Sequence, residues 1–439
     1  MRVSGRGTLK NWTPCLTASS RKPSARSPIR LQDMQGLARL GFDATIAVTN
    51  LVENLHQTIA SRAGILGAGT IEPTRGITGL VYRMVRGTTR VAGLGVDHLT
   101  GLLNQGQPDN TESSPEREAV IAAMCGVWGD HLAETDNPLA IKMAFRVQGQ
   151  QLSLAREALE VCIPAPKSRL LVLVHGLCMN DLQWQRGGHD HGRVLGDVLG
   201  MTPVYLHYNT GLHVSQNGEA FALALQNLVA EWPVPVEQLV ILGHSMGGLV
   251  ARSACHSAEA QGLPWLQHLS SLVCLGTPHH GAPLERGGQL IDSLLGKSPY
   301  LAPFARIGKA RSAGISDLRF GNVQAKDWEA HSKHGQTFDS RLPTPLPKGV
   351  ATYLVAAVQA PGPAPLRNAW VGDGLVPLAS AWGEHARTEL TLELPAQHKQ
   401  VVNGDNHWDL LNHPEVTRQL LEWLSHALTH KGAASIPLG

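Results

Sequence analysis

A lone serine stands between glycines in the segment GHSMGG, residues 243–248, directly after the aliphatic run QLVIL. The pattern G-x-S-x-G is typical of a sharp turn from a strand into a helix, which exposes a serine hydroxyl at the edge of a sheet. Gly243 and Gly247 are required because side chains there would collide with neighbouring backbone. The segment therefore predicts Ser245 as the nucleophile of an acyl transfer reaction. The predicted nucleophile elbow around it consists of Gly243, His244 and Gly247.

A serine hydroxyl needs a base to take its proton and a carboxylate to orient that base. In sheets of this kind the two partners follow the serine in the order acid, then histidine. Asp373 lies in an Asp-Gly turn after the aliphatic run ATYLVAAVQ, and His407 lies in the loop before the last helical segment. The order and the placement together predict a triad of Ser245, Asp373 and His407.

Other candidates lie near the predicted base, in a chain with 21 histidines. Asp405 and Asp409 flank His407 too closely to reach its ring from the side opposite the serine. His413 precedes Pro414, where it is predicted to cap the final helix.

Acyl transfer also needs N–H donors that hold the oxyanion. One predicted donor is the backbone N–H of Met246, the residue after the nucleophile. The segment VHGLCMND at 174–181 follows an early strand, and Gly176 lets the chain turn so that the N–H of Leu177 serves as the second. Cys178 beside this loop is interpreted as a small buried side chain in preference to a second nucleophile, and it is a candidate for the pocket wall.

Two further histidine segments have alternative interpretations. His279 and His280, in LGTPHHGAP, either line the mouth of the pocket or hold their loop by hydrogen bonds. The segment RGGHDHG contains His189, Asp190 and His191, which are adjacent in sequence and lack a third and fourth ligand nearby. A loop that begins a helix at residue 191 explains them, so we predict no metal site and no cofactor.

The elements that must position these residues alternate between aliphatic runs and helical segments. This alternation predicts an α/β fold with a mostly parallel sheet and helices on both faces. The expected elements are a strand pair at 140–148 and 152–161, strands at 169–176, 203–209, 238–243 and 351–359, and helices at 191–199 and 216–230.

The chain of 439 residues is long enough for a globular core and a second region. The predicted organisation is a disordered basic leader at 1–30, a helical N-terminal region at 31–105, a linker at 106–119, and a catalytic domain at 120–433 with a cap insertion at 284–345. The linker ends in a helix start, with Ser114 as N-cap ahead of Pro115. The segment 287–310 of the insertion is amphipathic and either covers an acyl pocket or packs peripherally on the core.

The helical N-terminal region, residues 31–105, has apolar side chains at steps of three and four and basic side chains on another face. This pattern indicates a helical pair docked on the rest of the protein. The alternatives are a basic amphipathic surface that rests on a lipid or polymer, and self-association. The leader has the composition of an organellar transit peptide but no amphipathic period, so disorder is the preferred interpretation.

Composition and charge exclude several classes of protein. The formal net charge of +2 provides no field that would attract a nucleic acid. No apolar run reaches the eighteen residues that a spanning helix requires. The six cysteines show no CxxC pair, which favours free thiols in a reducing compartment. We therefore expect a cytoplasmic protein whose contact with a membrane or lipid surface, if any, is peripheral.

Five segments of the sequence together resemble a known protein family. HG at 175–176, GHSMGG, LGTPHHGAPLERGG, DGLVP at 373–377 and DNHWDLL resemble the alpha/beta-hydrolase superfamily, most of all bacterial lipases and esterases and the GPI inositol-deacylase-like proteins. The likeness covers roughly residues 140–430. The resemblance implies a serine ester hydrolase of the alpha/beta-hydrolase fold and the same triad.

The expected function is hydrolysis of carboxylic esters, in particular lipid or other apolar acyl esters, through an acyl-enzyme. Amidases, thioesterases and acyltransferases use the same residue types, so these activities are alternatives within the enzymes. A scaffold that binds a membrane surface or a partner without chemistry is the alternative outside them.

Overall fold

The computed structural model describes residues 113, 115–282, 312–334, 339–359 and 372–431, together with positions 32, 33, 35, 36 and 38–40. The predicted leader, most of the helical N-terminal region and the amphipathic segment 287–310 lie outside the described residues. The described positions between 32 and 40 are helical, and several of them contact the rest of the chain: Leu40 belongs to the main apolar cluster, and the carbonyl of Gly36 accepts from Asn137. Asp33 accepts hydrogen bonds from Nε and Nη2 of Arg117, and Arg39 donates to the carbonyl of Asp136.

Eight strands form one sheet in the order β2-β1-β4-β3-β5-β6-β7-β8. β1 is antiparallel to β2 and β4, and every other neighbouring pair is parallel. The central strands are buried on both faces, which explains why they are continuous aliphatic runs. The strands are β1 Ala144–Val147, β2 Gln150–Gln151, β3 Arg169–Val174, β4 Thr202–His207, β5 Gln238–His244, β6 Leu269–Leu275, β7 Ala351–Val358 and β8 Lys399–Asn403.

Helices cover both faces of this sheet, as the alternating pattern predicts. The pair α4 and α5 closes one face, and α3 with α9 closes the other, each over its own apolar cluster. The described helices are α1 Pro115–Glu134, α2 Arg156–Cys162, α3 His191–Leu199, α4 Val214–Glu231, α5 Met246–Gln261, α6 Ala313–Phe320, α7 Ala325–His334, α8 Leu378–Ala381 and α9 Pro414–Lys431. Short 3-10 turns lie at Asp181–Trp184, Pro264–His268, Thr388–Leu390, Ala396–His398 and Asp409–Leu411.

Two sequence-based expectations are wrong. The second strand of the predicted pair, 152–161, does not form: β2 ends at Gln151, before this range, and the REALEVC segment forms α2. Its Ala, Glu and Leu residues are good helix formers, and within α2 Leu159 alone is buried in the core.

The second wrong expectation is that all cysteines are free thiols, because Cys162 is disulfide-bonded. Four other cysteines are buried free thiols, as expected: Cys125, Cys178, Cys255 and Cys274.

The described part of the predicted cap insertion packs on the catalytic domain through α6. Ser312 donates to the carbonyl of Gly126 at 2.6 Å, and the N–H of Ala313 donates to Asp130 at 2.8 Å. Asp317 accepts from the N–H of Val214, at the start of α4, at 2.8 Å. These contacts join α6 to α1 and α4. Among the described helices, none has the length and apolar character that crossing a membrane requires.

Candidate active site

Ser245 occupies the turn between β5, which ends at His244, and α5, which begins at Met246. Its backbone has φ 55° and ψ −124°, a conformation that costs a residue with a side chain on the order of 1–3 kcal/mol. The turn is held by the N–H of Ser245, which donates to the carbonyl of Leu275 at 2.8 Å. The strained serine on a strand-to-helix turn is the geometry that the G-x-S-x-G pattern predicts.

The two glycines of the elbow allow this turn to close. A Cβ added at Gly243 would lie 2.6 Å from the nitrogen of Gly248, and one added at Gly247 would lie 2.1 Å from the carbonyl oxygen of Val174. Neither approach is possible for a residue with a side chain. Glycine is therefore required at position 243, where the end of β5 meets the helix start, and at position 247, where the helix start meets β3.

Asp373 and His407 are in direct contact. Nδ1 of His407 donates to Oδ2 of Asp373 at 2.6 Å, and both residues are only 2% exposed. Oδ1 of Asp373 accepts backbone N–H bonds from Leu375 at 2.9 Å and Val376 at 2.8 Å. One carboxylate oxygen thus fixes the turn and the other fixes the imidazole. A proton held on Nδ1 leaves Nε2 free to act as a base.

The imidazole of His407 lies beside the elbow. Its ring centroid is 4.8 Å from that of His244, the residue before the nucleophile. Nε2 of His244 also donates to the carbonyl of His407 at 3.1 Å. The structure therefore brings the loop of His407, the turn of Asp373 and the elbow of Ser245 to the same end of the sheet.

The neighbouring candidates have other partners. Asp405 pairs with Nε2 of His413 at 3.3 Å. Asp409 accepts the backbone N–H of Asn406 at 3.0 Å and thereby closes the loop that contains His407. Among these carboxylates, Asp373 alone contacts the ring of His407 in the described structure.

The predicted oxyanion donors lie on either side of the nucleophile. A Cβ added at Gly176 would lie 2.9 Å from Cβ of Ser245, so the loop that contains Leu177 runs against the serine. Met246 is the first residue of α5, where backbone N–H groups lack helical acceptors. Within the part of the chain that the structure describes, neither the N–H of Leu177 nor that of Met246 has a hydrogen-bond acceptor. Both residues are buried, and no described acceptor competes for their N–H groups.

A partly buried charged network supports the loop that contains Leu177, and the sequence interpretation missed it. Asp181, just after the loop, accepts from Nη1 of Arg146 at 3.2 Å and lies 3.2 Å from Nδ1 of His207. Burial raises the pKa of Asp181, but His207 and Arg146 outweigh this effect and hold it below its usual value. Arg146 also binds Glu118 of α1 at 3.0 Å. No motif marks these residues, because they come from four separate elements.

Cys178 packs against α1. Its thiol donates to the carbonyl of Ala123 in α1 at 3.8 Å, and the residue is 2% exposed. A Cβ added at Gly126 of α1 would overlap its sulfur, which shows how closely the two elements pack. Its role is therefore packing between the loop and α1, in agreement with the preferred interpretation of its sequence position.

We predict that Cys178 does not react with alkylating reagents in the native protein. Burial raises the pKa of its thiol to about 12, so the reactive thiolate is nearly absent at pH 8. Mass mapping after iodoacetamide treatment at pH 8 should show Cys178 unmodified in the native state and fully modified in denaturant. Rapid native modification at this position would contradict the packing described above.

His279 and His280 make the contacts expected of loop-holding residues. The N–H of His279 donates to the carbonyl of Ser380 at 3.2 Å, and the N–H of His280 donates to Oγ of Ser380 at 3.1 Å. These bonds tie the loop after β6 to α8, which follows the turn of Asp373. Their side chains line a small cavity together with Arg252.

The segment with His189, Asp190 and His191 also has structural contacts. Asp190 caps α3 by accepting the N–H of Arg193 at 3.2 Å, and the hydroxyl of Tyr205 donates to its carboxylate. Both imidazoles lie 3.2 Å from the hydroxyl of Thr417. Over the described residues, no group of three or more His, Cys, Asp or Glu side chains is arranged to hold a metal.

We predict that Asp373→Asn lowers kcat by about four orders of magnitude while the fold is retained. The amide would still accept or donate at Nδ1 of His407, but it would not enforce the tautomer that leaves Nε2 basic. The matched control is Asp405→Asn, in the same loop region as His407, which should keep turnover near that of the parent protein. Equal losses in the two variants would remove Asp373 from the triad.

Comparison with known proteins gives one family and several structures. The PGAP1-like alpha/beta domain family matches residues 219–295, which include the elbow. Among solved structures, the chain is similar to a Bacillus licheniformis lipase in mature form, with 16% identity over 59% of this chain and 94% of that one and a TM-score of 0.38. It is similar to Aspergillus fumigatus lipase B, with 14% identity, 63% and 59% coverage and a TM-score of 0.36. It is also similar to a Thermogutta terrifontis esterase, with 17% identity, 60% and 92% coverage and a TM-score of 0.32. No curated protein matches the chain in sequence.

The fold is that of the alpha/beta-hydrolase superfamily. The mostly parallel eight-stranded sheet with helices on both faces, the elbow between β5 and α5, and the match to an alpha/beta domain family agree with each other. The fold expected from the sequence resemblance is confirmed.

Proposed function

We propose that the protein is a serine hydrolase that cleaves carboxylic esters, in particular lipid or other apolar acyl esters. The observation that carries the proposal is the buried 2.6 Å hydrogen bond between His407 and Asp373 beside the strained turn of Ser245. Such an arrangement fixes the tautomer of a base beside the elbow of Ser245, a residue that is itself 5% exposed. Purely structural serines do not need it.

The proposed reaction has two steps. His407 removes the proton of Ser245, whose Oγ attacks the ester carbonyl, and the same histidine then protonates the leaving alcohol. Water, activated by His407, next attacks the acyl-enzyme and releases the acid. Asp373 orients the imidazole and stabilises its positive charge in both steps.

The N–H groups of Leu177 and Met246 are the proposed oxyanion donors. Leu177 directly precedes Cys178, and Met246 directly follows Ser245. Both of these neighbours have a positive φ, which is a strained backbone conformation. Donors fixed before the substrate arrives do not need to reorganise in the transition state. The network of Asp181, Arg146 and His207 holds the loop that contains Leu177 in place. We therefore assign these three residues a positioning role.

The substrate class is tested with a panel of esters from acetyl to long acyl, with matched thioesters and amides, in the presence and absence of a lipid interface. We expect ester turnover that increases with acyl length over at least part of the series. Faster turnover of thioesters or amides than of matched esters would overturn the ester assignment while leaving the triad intact. Acyl transfer to an added alcohol in place of water would identify an acyltransferase.

We also propose a cytoplasmic protein whose helical N-terminal region, residues 31–105, allows peripheral contact with a lipid surface. The basic and apolar faces of that sequence support the proposal. Deletion of residues 1–110 should abolish co-sedimentation with anionic vesicles and leave hydrolysis of a soluble short ester unchanged. Undiminished vesicle binding by the deletion variant would assign the surface contact to the catalytic domain.

A further inference from the structure

A small polar cavity lies between α5, the loop after β6, and the segment that leads into β7. Its polar lining residues include two arginines and two histidines. It offers about 20 Å³ in which the centre of a water molecule can lie, which is enough for one or two waters. The lining residues used below are Arg252, His279, His280, Asp327, Arg341 and Thr344.

Arg252 is a buried cation with neutral partners only. It is 5% exposed, donates from Nη1 to Nδ1 of His279 at 3.2 Å and donates from Nη2 to the carbonyl of Thr344 at 2.7 Å. Its Nε and the Nε2 of His279 have no hydrogen-bond partner in the described structure. Burial lowers the pKa of Arg252 to about 10, so it is charged at neutral pH. A buried charge without a counterion is costly.

The nearby carboxylates are already engaged. Asp339 binds Arg341 through both carboxylate oxygens, at 2.9 and 2.7 Å. Asp327 accepts three backbone N–H bonds at 2.9 Å, from Val323, Gln324 and Leu342. No carboxylate of the described residues lies within ion-pair distance of Arg252. Arg252 therefore has no direct ion pair, although the charge of the Asp327 carboxylate favours its charged form, and the cavity also contains unsatisfied N–H and ring nitrogen groups.

We propose that this cavity binds a small monovalent anion of the size of chloride, held by the guanidinium of Arg252 with His279 and His280 beside it. The space for one or two waters matches the size of a halide. The anion would give Arg252 the direct ion pair that no described carboxylate provides. Since His280 is tied to Ser380 of α8, the site would also join α5 to the element that follows Asp373.

The test uses the full chain and thermal unfolding. Replacing gluconate by chloride or bromide at constant ionic strength should raise Tm by about 1–3 °C through preferential binding to the folded state. Arg252→Gln should abolish this halide dependence. The matched control is Arg193→Gln, an exposed arginine on α3, which should retain the full shift. An equal halide shift in Arg252→Gln and the parent protein would overturn the proposal.

Bromide-soaked crystals of the unaltered protein provide a test that does not depend on the stability of a variant. We expect an anomalous scattering peak in contact with the Arg252 guanidinium and displacement of that peak by excess chloride. A cavity that contains only water at saturating bromide would contradict the assignment. Neither measurement depends on catalysis, so the anion site and the proposed hydrolase function succeed or fail separately.

Discussion

Replacing Ser245 by alanine is expected to lower kcat for ester hydrolysis by about six orders of magnitude, the loss typical of removing a triad nucleophile. The hydroxyl that attacks the carbonyl is lost, while the backbone that forms the elbow is retained. Alanine also leaves the N–H groups of Leu177 and Met246 in place, so substrate binding should persist. Active-site titration and steady-state kinetics measure the loss, and far-UV circular dichroism checks the fold.

A suitable control lies on the same helix. Ser257 on α5 accepts a hydrogen bond from the exposed side chain of Gln261 and is remote from the turn. Ser257→Ala should retain turnover within about twofold, as expected of a surface change that touches no site. Retention of substantial turnover in Ser245→Ala would exclude this serine as the nucleophile.

Replacing His407 by alanine should cause a loss of similar size, about six orders of magnitude in kcat. The variant lacks the base that accepts the serine proton and leaves Asp373 with an unpaired carboxylate oxygen. Since the residues act as one unit, the double variant with Ser245→Ala should be no slower than either single variant. Steady-state rates of the three variants against one soluble ester measure this directly.

His413 provides the matched histidine control. It lies in the same loop region and pairs with Asp405 at 3.3 Å, away from the ring of His407. His413→Ala should keep turnover within about threefold of the parent protein and lower stability by about 1 kcal/mol, because it removes a half-buried ion pair and the acceptor of the Glu415 N–H at the start of α9. A large loss in His413→Ala with activity retained in His407→Ala would show that His413, and not His407, is the base.

The elbow could be predicted from the sequence because its causes are local. Two glycines, a preceding aliphatic run and a following helix define the turn within a dozen residues around Ser245. The order of Asp373 and His407 follows from the topology of a parallel sheet, in which strand ends meet at one edge. The structure adds the contact that sequence could only imply, the hydrogen bond from His407 to Asp373.

Features that depend on tertiary packing were not predictable in the same way. The network of Arg146, Asp181 and His207 joins β1, the turn after the oxyanion loop and β4, and no spacing in the chain links them. The lack of a direct ion pair at Arg252 is likewise visible only in the structure, where the surrounding carboxylates bind other groups. The segment that forms α2 is predicted as a strand from the sequence, because seven residues are too few for periodicity to separate a helix from a strand.

The central claim is that Ser245 is a nucleophile activated by His407. The most direct measurement is reaction with a fluorophosphonate probe, followed by peptide mapping of the adduct by mass spectrometry. We predict one adduct, on the peptide that contains Ser245, and labelling at least a thousandfold slower in His407→Ala, as expected when the general base is removed. An adduct on another residue, or equal labelling rates in the two proteins, would contradict the account.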